Sequence, residues 1–220
     1  MAFMGKKPLQ VVSSDKNRNA LEALRNDPNL NGRTMSPSFL RVEQKIVNGK
    51  PVYNFNLTKD TNSDSVTERK LDVNDSFLIT EIGLKLMKRL STKIGGEVLQ
   101  TYPNIQEFAD VSTTFLGADL EAFYNGLMEL TVKQKVQIEA MDTNQFRYVS
   151  ETQQSSASTK SSGDMHAGMV SITPNIRING TDKNSLKVSA PVASSALVAH
   201  TTANTDNYLV LFIRGFLISQ

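Results

Sequence analysis

Asn207-Tyr-Leu-Val-Leu-Phe-Ile-Arg-Gly-Phe-Leu-Ile-Ser-Gln220 closes the chain and is the most apolar run in the sequence. It is too short to cross a bilayer as a helix, which takes about 20 residues. The run is also rich in the aromatic and β-branched residues that favour strands. The sequence therefore predicts a C-terminal strand that is buried on both faces.

Alternating apolar and polar residues extend this strand-rich pattern upstream to about residue 38. The pattern predicts strands at residues 39–47, 52–57, 77–90, 127–140 (one strand or a strand pair), 146–149, 169–178 and 186–188. Asn48-Gly49 and Asn179-Gly180 are dipeptides typical of tight hairpin turns. Pro174 predicts that its strand lies at a sheet edge or is split. Such a count of short strands indicates one large or two small antiparallel β-sandwiches.

The N-terminal residues differ from the rest of the chain in period and in charge. Residues 15–25 have helical spacing, with Asp15 as a candidate N-cap, and turn residues follow at 26–32. Residues 1–50 carry a net charge of +5, whereas the whole chain carries +2. The sequence thus predicts a basic N-terminal arm, residues 1–35, that contains one short helix.

A second helical stretch and a turn suggest where the remaining residues divide. Residues 105–125 have partly helical spacing and end at the turn signal Asn125-Gly126. We therefore expect a first β-sandwich over residues 36–125 and a second over residues 126–220. Residues 153–163 are rich in Ser, Thr and Gln and predict a polar loop.

Composition argues against several classes of chemistry. The chain has no Cys, which excludes disulfides, thiolate metal sites and a cysteine nucleophile. It has two histidines, His166 and His200, and neither a Gly-x-Ser-x-Gly elbow nor a phosphate-binding glycine loop. We therefore expect no enzymatic activity, no catalytic residues, no cofactor and no bound metal. The N-terminus has no apolar segment typical of a secretory signal.

Three weaker patterns have an ordinary and a functional interpretation. Lys85, Lys88, Arg89 and Lys93 are either a solvated edge or a patch that faces phosphate. Tyr102, Tyr148 and Tyr208 are either core residues or an aromatic platform for sugars. Asp182–Asn184 resembles a fragment of a calcium-binding loop that lacks the rest of the pattern. In each case the ordinary interpretation is favoured.

Three segments carry a resemblance to a known family: Asp75-Ser-Phe-Leu-Ile-Thr-Glu-Ile-Gly-Leu84, Leu99-Gln-Thr-Tyr-Pro-Asn104 and Leu209-Val-Leu-Phe-Ile-Arg-Gly-Phe-Leu-Ile218. With the basic arm and strands that run to the C-terminus, the chain resembles the double jelly-roll major capsid proteins. Among these it is similar to the compact ones of lipid-containing single-stranded DNA phages of Flavobacterium. The resemblance covers residues 36–220 by architecture.

The resemblance implies an all-β fold of two small antiparallel jelly-roll sandwiches, with the arm and one or two short helices. Because 220 residues are few for two complete barrels, a single jelly roll with additions is the alternative. The implied function is structural: the chain, made in the host cytoplasm, forms homotrimeric, pseudo-hexagonal capsomers that tile an icosahedral virion shell. Its partners would be copies of itself through lateral contacts and other virion proteins, with no small-molecule substrate.

The family places the arm on the inner side of the shell, against an internal membrane or the genome. The residues of the arm expected to face that anionic surface are Lys6, Lys7, Lys16, Arg18 and Arg25. Two alternatives remain beside the major capsid role: a minor virion protein at a vertex, spike or decoration, and a carbohydrate-binding β-sandwich module. An enzyme that uses carboxylates remote in sequence ranks third.

Overall fold

The computed structural model of the chain describes residues 15–60, 67–90, 97–104, 108, 120–149, 167–191 and 205–219. The chain divides into two compact units, Met1–Arg33 and Thr34–Gln220. The first unit contains helix α1, Asp15–Arg25, and a short 3-10 helix, Pro28–Leu30. Ala20 and Leu24, one turn apart on α1, are both buried. The helix predicted at residues 15–25 is thereby confirmed.

The second unit is a β-sandwich whose eight described strands form two antiparallel sheets. The strands are β1 (Thr34–Lys45), β2 (Val52–Asn56), β3 (Ser76–Leu90), β4 (Leu127–Val132), β5 (Lys135–Asp142), β6 (Met169–Asn179), β7 (Asn184–Ser189) and β8 (Thr205–Ser219). Sheet 1 has the order β1-β8-β3-β6, and sheet 2 has the order β2-β7-β4-β5. The all-β expectation is confirmed at this level.

The two sheets enclose one hydrophobic core. Sheet 1 contributes alternate residues of its strands, such as Leu84 and Leu211, and sheet 2 contributes Tyr53, Phe55 and Leu130. All five are fully buried. Because side chains alternate across a strand, every second residue of these strands is apolar and points inward. This alternation is the signal that predicted the strands.

The apolar C-terminal run forms β8, in the middle of sheet 1. Leu211 lies opposite Val42 of β1 on one side and opposite Leu84 of β3 on the other. Val210, on the other face of β8, is fully buried as well. It lies opposite Glu43 of β1 on one side and opposite Lys85 of β3 on the other. The predicted strand that is buried on both faces is therefore confirmed.

The expected boundary near residue 125 does not separate two sandwiches in the described part of the chain. Each sheet contains strands from both sides of that residue, and residues 34–220 form one compact unit. The physical reason is β8, which takes β1 and β3 as its neighbours. The most apolar strand thus pairs with two strands from the first half of the sequence, so the second half does not form a sandwich of its own.

Two turn signals were interpreted wrongly as hairpins. Gly49 has a positive φ of 73°, as a tight turn needs, but β1 and β2 on either side of it belong to different sheets. The strands on either side of Asn179-Gly180, β6 and β7, also belong to different sheets. Turn chemistry specifies that the chain reverses. It does not specify whether the next strand pairs beside the first or crosses to the opposite sheet.

A third turn was missed. Residues 127–140, predicted as one strand or a strand pair, form the hairpin of β4 and β5. Its two turn residues, Lys133 and Gln134, both have positive φ, 52° and 62°. This is the geometry of a two-residue primed turn, which usually contains Asn or Gly. Because neither residue is typical of such a turn, the position of this turn could not be predicted from the residue types.

The strand predicted at residues 146–149 is not present. A 3-10 helix, Thr143–Phe146, occupies the start of this region, and its Asp142 cap accepts a hydrogen bond from the Asn144 amide. Phe146 is fully buried, so its apolar side chain anchors this short helix rather than a strand. The edge position predicted from Pro174 is confirmed, since β6 is the last strand of sheet 1.

Two further expectations fall largely outside the described residues. Most of the predicted helical stretch 105–125 is not described, and its end is the 3-10 helix Ala122–Tyr124. The polar loop predicted at residues 153–163 and both histidines, His166 and His200, also lie outside the described residues.

Candidate functional site

The predicted cationic residues of the arm are only partly described. Lys6 and Lys7 lie outside the described residues, and Lys16 belongs to α1 with its side chain outside them. Arg18 and Arg25 are exposed on α1, two helical turns or about 10 Å apart along the axis. The Nε of Arg18 lies 3.9 Å from Glu22 Oε1, and Arg25 occupies the last turn.

Two of the four cations expected to form a solvated edge, with a phosphate-facing patch as the alternative, are internal. Lys85 and Arg89 are buried at 6% and 7% exposure on the outer face of sheet 1, and Lys93 lies outside the described residues. A solvated edge and a phosphate-binding patch both require exposed cations, so both interpretations are wrong for Lys85 and Arg89. Thr67, which precedes β3 in the chain, and Glu97, which follows it, both contact Arg89, and the sequence did not indicate either partner.

Arg89 is the centre of a buried charge network. Its Nη2 lies 2.8 Å from Glu43 Oε2, and its Nε lies 2.8 Å from Glu97 Oε1. Arg41 Nε donates to the other oxygen of Glu43 at 2.8 Å, as does the Thr67 hydroxyl. Two arginines thus face two glutamates, and the charges in this group balance.

Burial alone would lower the pKa of the Arg89 guanidinium. Its hydrogen bonds and ion pairs with Glu97 and Glu43 outweigh that effect and hold the pKa above its ordinary value. The guanidinium carbon also lies 4.6 Å from the ring centroid of Tyr208. Arg89 therefore stays charged, and its guanidinium binds residues of the sandwich itself. Such a network fixes the positions of the segments that it joins.

The network lies beside a segment that covers the edge of β1. The backbone amides and carbonyls of Arg41 and Arg69 exchange two hydrogen bonds of 2.8 Å, and the Glu43 amide donates to Glu68. Leu71 then pairs with Leu57, just after β2. Residues 67–71 thus connect the edges of the two sheets and close this side of the sandwich. Covering a sheet edge in this way prevents pairing with other chains.

An aromatic stack occupies the same outer face of sheet 1. The rings of Phe39 and Phe212 are 5.2 Å apart and nearly parallel, at 16°. Arg69 lies 5.2 Å from the Phe39 centroid and Lys85 lies 5.8 Å from the Phe212 centroid. Each ring is therefore already in contact with a cation of the protein, and the stack forms part of the surface of sheet 1. Phe39 is nevertheless 38% exposed.

The three tyrosines, expected to be core residues with a sugar platform as the alternative, are in different environments. Tyr208 lies against Arg89, Tyr102 is half-buried, and Tyr148 is 48% exposed. The Tyr148 amide donates to the Thr101 carbonyl at 3.4 Å, which brings Tyr148 beside Tyr102. The structure therefore places two of the three on neighbouring segments and the third on the outer face of sheet 1.

The calcium-loop fragment Asp182–Asn184 is held by internal contacts. Asp182 Oδ2 accepts from Asn179 Nδ2 at 2.9 Å and lies 3.3 Å from Lys133 Nζ. Among the described residues, no three His, Asp or Glu side chains converge as they would around a metal ion. None of the described helices has the length and apolar character needed to cross a bilayer.

The residues that sequence reasoning missed are those of the network, above all Glu43 and Glu97. Glu43 precedes β3 by more than 30 residues and Glu97 follows it, and no local pattern ties either of them to Arg89. No protein-family model matches the sequence, and no curated protein is significantly similar to it. The geometry of the sandwich and of its surface therefore carries the functional proposal.

Proposed function

We propose that residues 34–220 form a single jelly roll. In support, the first strand pairs with the last, the second with the seventh, the third with the sixth, and the fourth with the fifth. One long antiparallel hairpin of eight strands, rolled into two sheets, produces this set of pairs. The pairs β3–β8 and β4–β7 are those that rolling adds. This favours the single jelly roll with additions over the double one.

The function that we propose is structural, as a virion shell protein that works by self-association. The strand pairing is the observation that carries this proposal, because jelly rolls with this eight-stranded plan are a recurrent architecture of viral capsids. The same fold also occurs in lectins and cupins, so the fold alone does not decide between functions. The described arginines and glutamates of sheet 1 favour a structural role, since they neutralise each other inside the protein.

The single sandwich changes the expected capsomer. A hexagonal outline from three copies requires two sandwiches in each chain. With one sandwich in each chain, three copies give three lobes and six copies are needed for a hexagon. Lateral contacts of a stable shell would bury about 1,200–2,000 Å² between each pair of copies. Closed rotational symmetry then repeats the same contact around the assembly.

The basic arm is proposed to face the interior of the shell. It contains the five cations Lys6, Lys7, Lys16, Arg18 and Arg25, and it belongs to a compact unit separate from the sandwich. An anionic inner surface, either lipid headgroups or nucleic acid, would attract these charges. Other virion proteins would be further partners, and assembly would follow synthesis in the host cytoplasm.

Electron microscopy of the purified full chain tests the shell role. We expect closed, uniform rings or shells built from three- or six-fold assemblies. In particles, a major capsid protein would dominate a stained gel, whereas a vertex, spike or decoration protein would be present in a small number of copies. Isolated single molecules in every preparation would overturn the proposal.

A further inference from the structure

An open cleft of about 490 Å³ lies at one end of the sandwich. Its walls are the segment that follows β2 and the loop between β6 and β7. The exposed polar side chains that line it are Asn56, Lys59, Asp60, Thr181, Lys183 and Ser185. Its volume is within the range of about 300–1,000 Å³ that is usual for small-molecule sites, and apart from Gly180 every lining residue has a polar or charged side chain.

The two walls are joined by direct hydrogen bonds. The Thr58 hydroxyl donates to the Asp182 carbonyl at 3.2 Å, and the Leu57 amide donates to the Asn184 carbonyl at 3.1 Å. Within the second wall, Asn184 Nδ2 donates to the carbonyls of Asn179 and Asp182 at 2.7 and 3.1 Å. The cleft is therefore preformed, and a ligand would not have to order its walls.

The charges in the cleft are mixed. Lys59 and Lys183 stand with Asp60 and Asp182, and Asp182 is already paired with Lys133. An anion would meet two carboxylates, and a metal cation would meet the ammonium groups. A neutral ligand with many hydrogen-bonding groups meets neither difficulty, because hydroxyls can both donate to carboxylates and amide oxygens and accept from lysines.

A buried amide, that of Asn184, lies within the second wall of the cleft. Asn184 is 1% exposed, and its Oδ1 has no hydrogen-bond partner among the described residues, although its Nδ2 makes two bonds. Buried acceptors without a donor are rare in folded proteins. Because this oxygen has almost no exposed surface, a group in the cleft does not reach it, and Asn184 serves to hold the wall in shape.

We propose that this cleft is a saccharide-binding site for a neutral, hydroxyl-rich sugar. Asn56, Thr181 and Ser185 contribute amide and hydroxyl groups, and the charged groups of Lys59, Asp60 and Lys183 hydrogen-bond to sugar hydroxyls. The site lies on the loops at one end of the sandwich, where variable binding residues are usually placed on a rigid scaffold. This inference is independent of the shell role, because a subunit of a shell can carry such a cleft.

Saturation-transfer NMR of the full chain tests the site with four probes: the methyl glycosides of glucose, galactose, mannose and N-acetylglucosamine. We expect transfer to at least one glycoside. The Asn56→Ala and Thr181→Ala variants should bind it roughly fivefold to tenfold more weakly each. Asn54→Ala is the matched control, because Asn54 is exposed two residues earlier on β2 and does not line the cleft.

Thermal melts of all variants establish that each is folded, and Ser185→Ala provides a second cleft variant if Asn56→Ala melts early. Three results would overturn the inference: no transfer to any of the four glycosides, equal binding by the cleft variants and the Asn54→Ala control, or competition of the signal by inorganic phosphate alone. Assembly measured on the same samples reports on the shell role separately.

Discussion

Arg89 of β3 and Glu43 of β1 form an ion pair of 2.8 Å although β8 lies between their strands. The Arg89 side chain reaches across β8 with its guanidinium 4.6 Å from the Tyr208 ring centroid. The pair therefore joins three strands on the outer face of sheet 1. It also holds Thr67, which donates to the same carboxylate, next to the covered edge of β1.

Replacing Arg89 should destabilise the sandwich strongly. Arg89→Met leaves the carboxylates of Glu43 and Glu97 buried, at 2% and 5% side-chain exposure, without their main cation. Removing one partner of a buried pair costs about 3–5 kcal/mol. Urea unfolding measures the loss. The control is Arg147→Met, whose partner Glu121 is 43% exposed, and it should cost less than about 1 kcal/mol. Equal losses in the two variants would show that the network contributes no more than a surface pair.

The β4–β5 turn is a site where the protein can be stabilised. Gln134 has a φ of 62°, which costs a residue with a side chain about 1 kcal/mol relative to glycine. Gln134→Gly should raise the free energy of unfolding by about 1 kcal/mol in urea titrations. Gln137→Gly, in the exposed middle of β5, should lower it by about 0.5–1 kcal/mol. If both variants lose stability, the turn is not strained in the way described.

Tyr124 should make the sandwich sensitive to alkaline pH. Burial raises the pKa of its phenol above the ordinary value of 10.0, so the unfolded chain loses this proton first. The contribution of Tyr124 to the free energy of unfolding is therefore fully present below about pH 10. Above that pH the free energy of unfolding falls, by at most about 1.4 kcal/mol per pH unit for one group. Within the part of the chain that the structure describes, the Tyr124 hydroxyl makes only long contacts of 3.4 and 3.5 Å, so Tyr124→Phe should cost little at neutral pH.

Unfolding measured between pH 8 and pH 12 should therefore show a shallower decline in Tyr124→Phe than in the parent chain. Tyr148→Phe is the control, because Tyr148 is 48% exposed. A parallel decline in all three proteins would mean that Tyr124 does not contribute to the alkaline loss of stability.

The arm cations should control attachment to an anionic surface. Changing Lys6, Lys7, Lys16, Arg18 and Arg25 to Gln removes five charges, each worth about 1 kcal/mol near an anionic membrane. Sedimentation with phosphatidylserine vesicles should show binding weakened by roughly a hundredfold or more. The control changes Lys50, Lys59 and Lys183, three exposed cations of the sandwich, to Gln. Unchanged vesicle binding in the five-residue variant, with single-stranded DNA binding lost, would assign the arm to the genome instead.

Local patterns predicted the strands well because a half-buried strand repeats every two residues. The strand at Leu84 and the helix at Ala20 and Leu24 followed from spacing, and the strand at Leu211 followed from its apolar, β-rich composition. Which strand pairs with which did not follow, because pairing is decided by long-range burial. Nothing near Asn48-Gly49 shows that β2 crosses to the second sheet.

The candidate sites were harder to predict for the same reason. In the sequence, Glu43 has the position of an ordinary outward-facing residue in an alternating strand. The fold brings Arg89 Nη2 to within 2.8 Å of its carboxylate. The cleft combines Asn56 and Thr181, 125 positions apart. The sequence of Asp182–Asn184 resembled a fragment of a calcium-binding loop. In the structure, the Asp182 carboxylate instead contacts Lys133 and Asn179.

Sedimentation velocity of the purified full chain, over rising protein concentration, tests most directly whether this sandwich acts by binding copies of itself. We expect the monomer to give way to a discrete larger species of three or six copies, and then to closed shells. The five-residue arm variant should keep the discrete species if the sandwich alone forms the lateral contacts. A single monomeric boundary at every concentration, with anionic vesicles or single-stranded DNA present as well, would contradict the central claim.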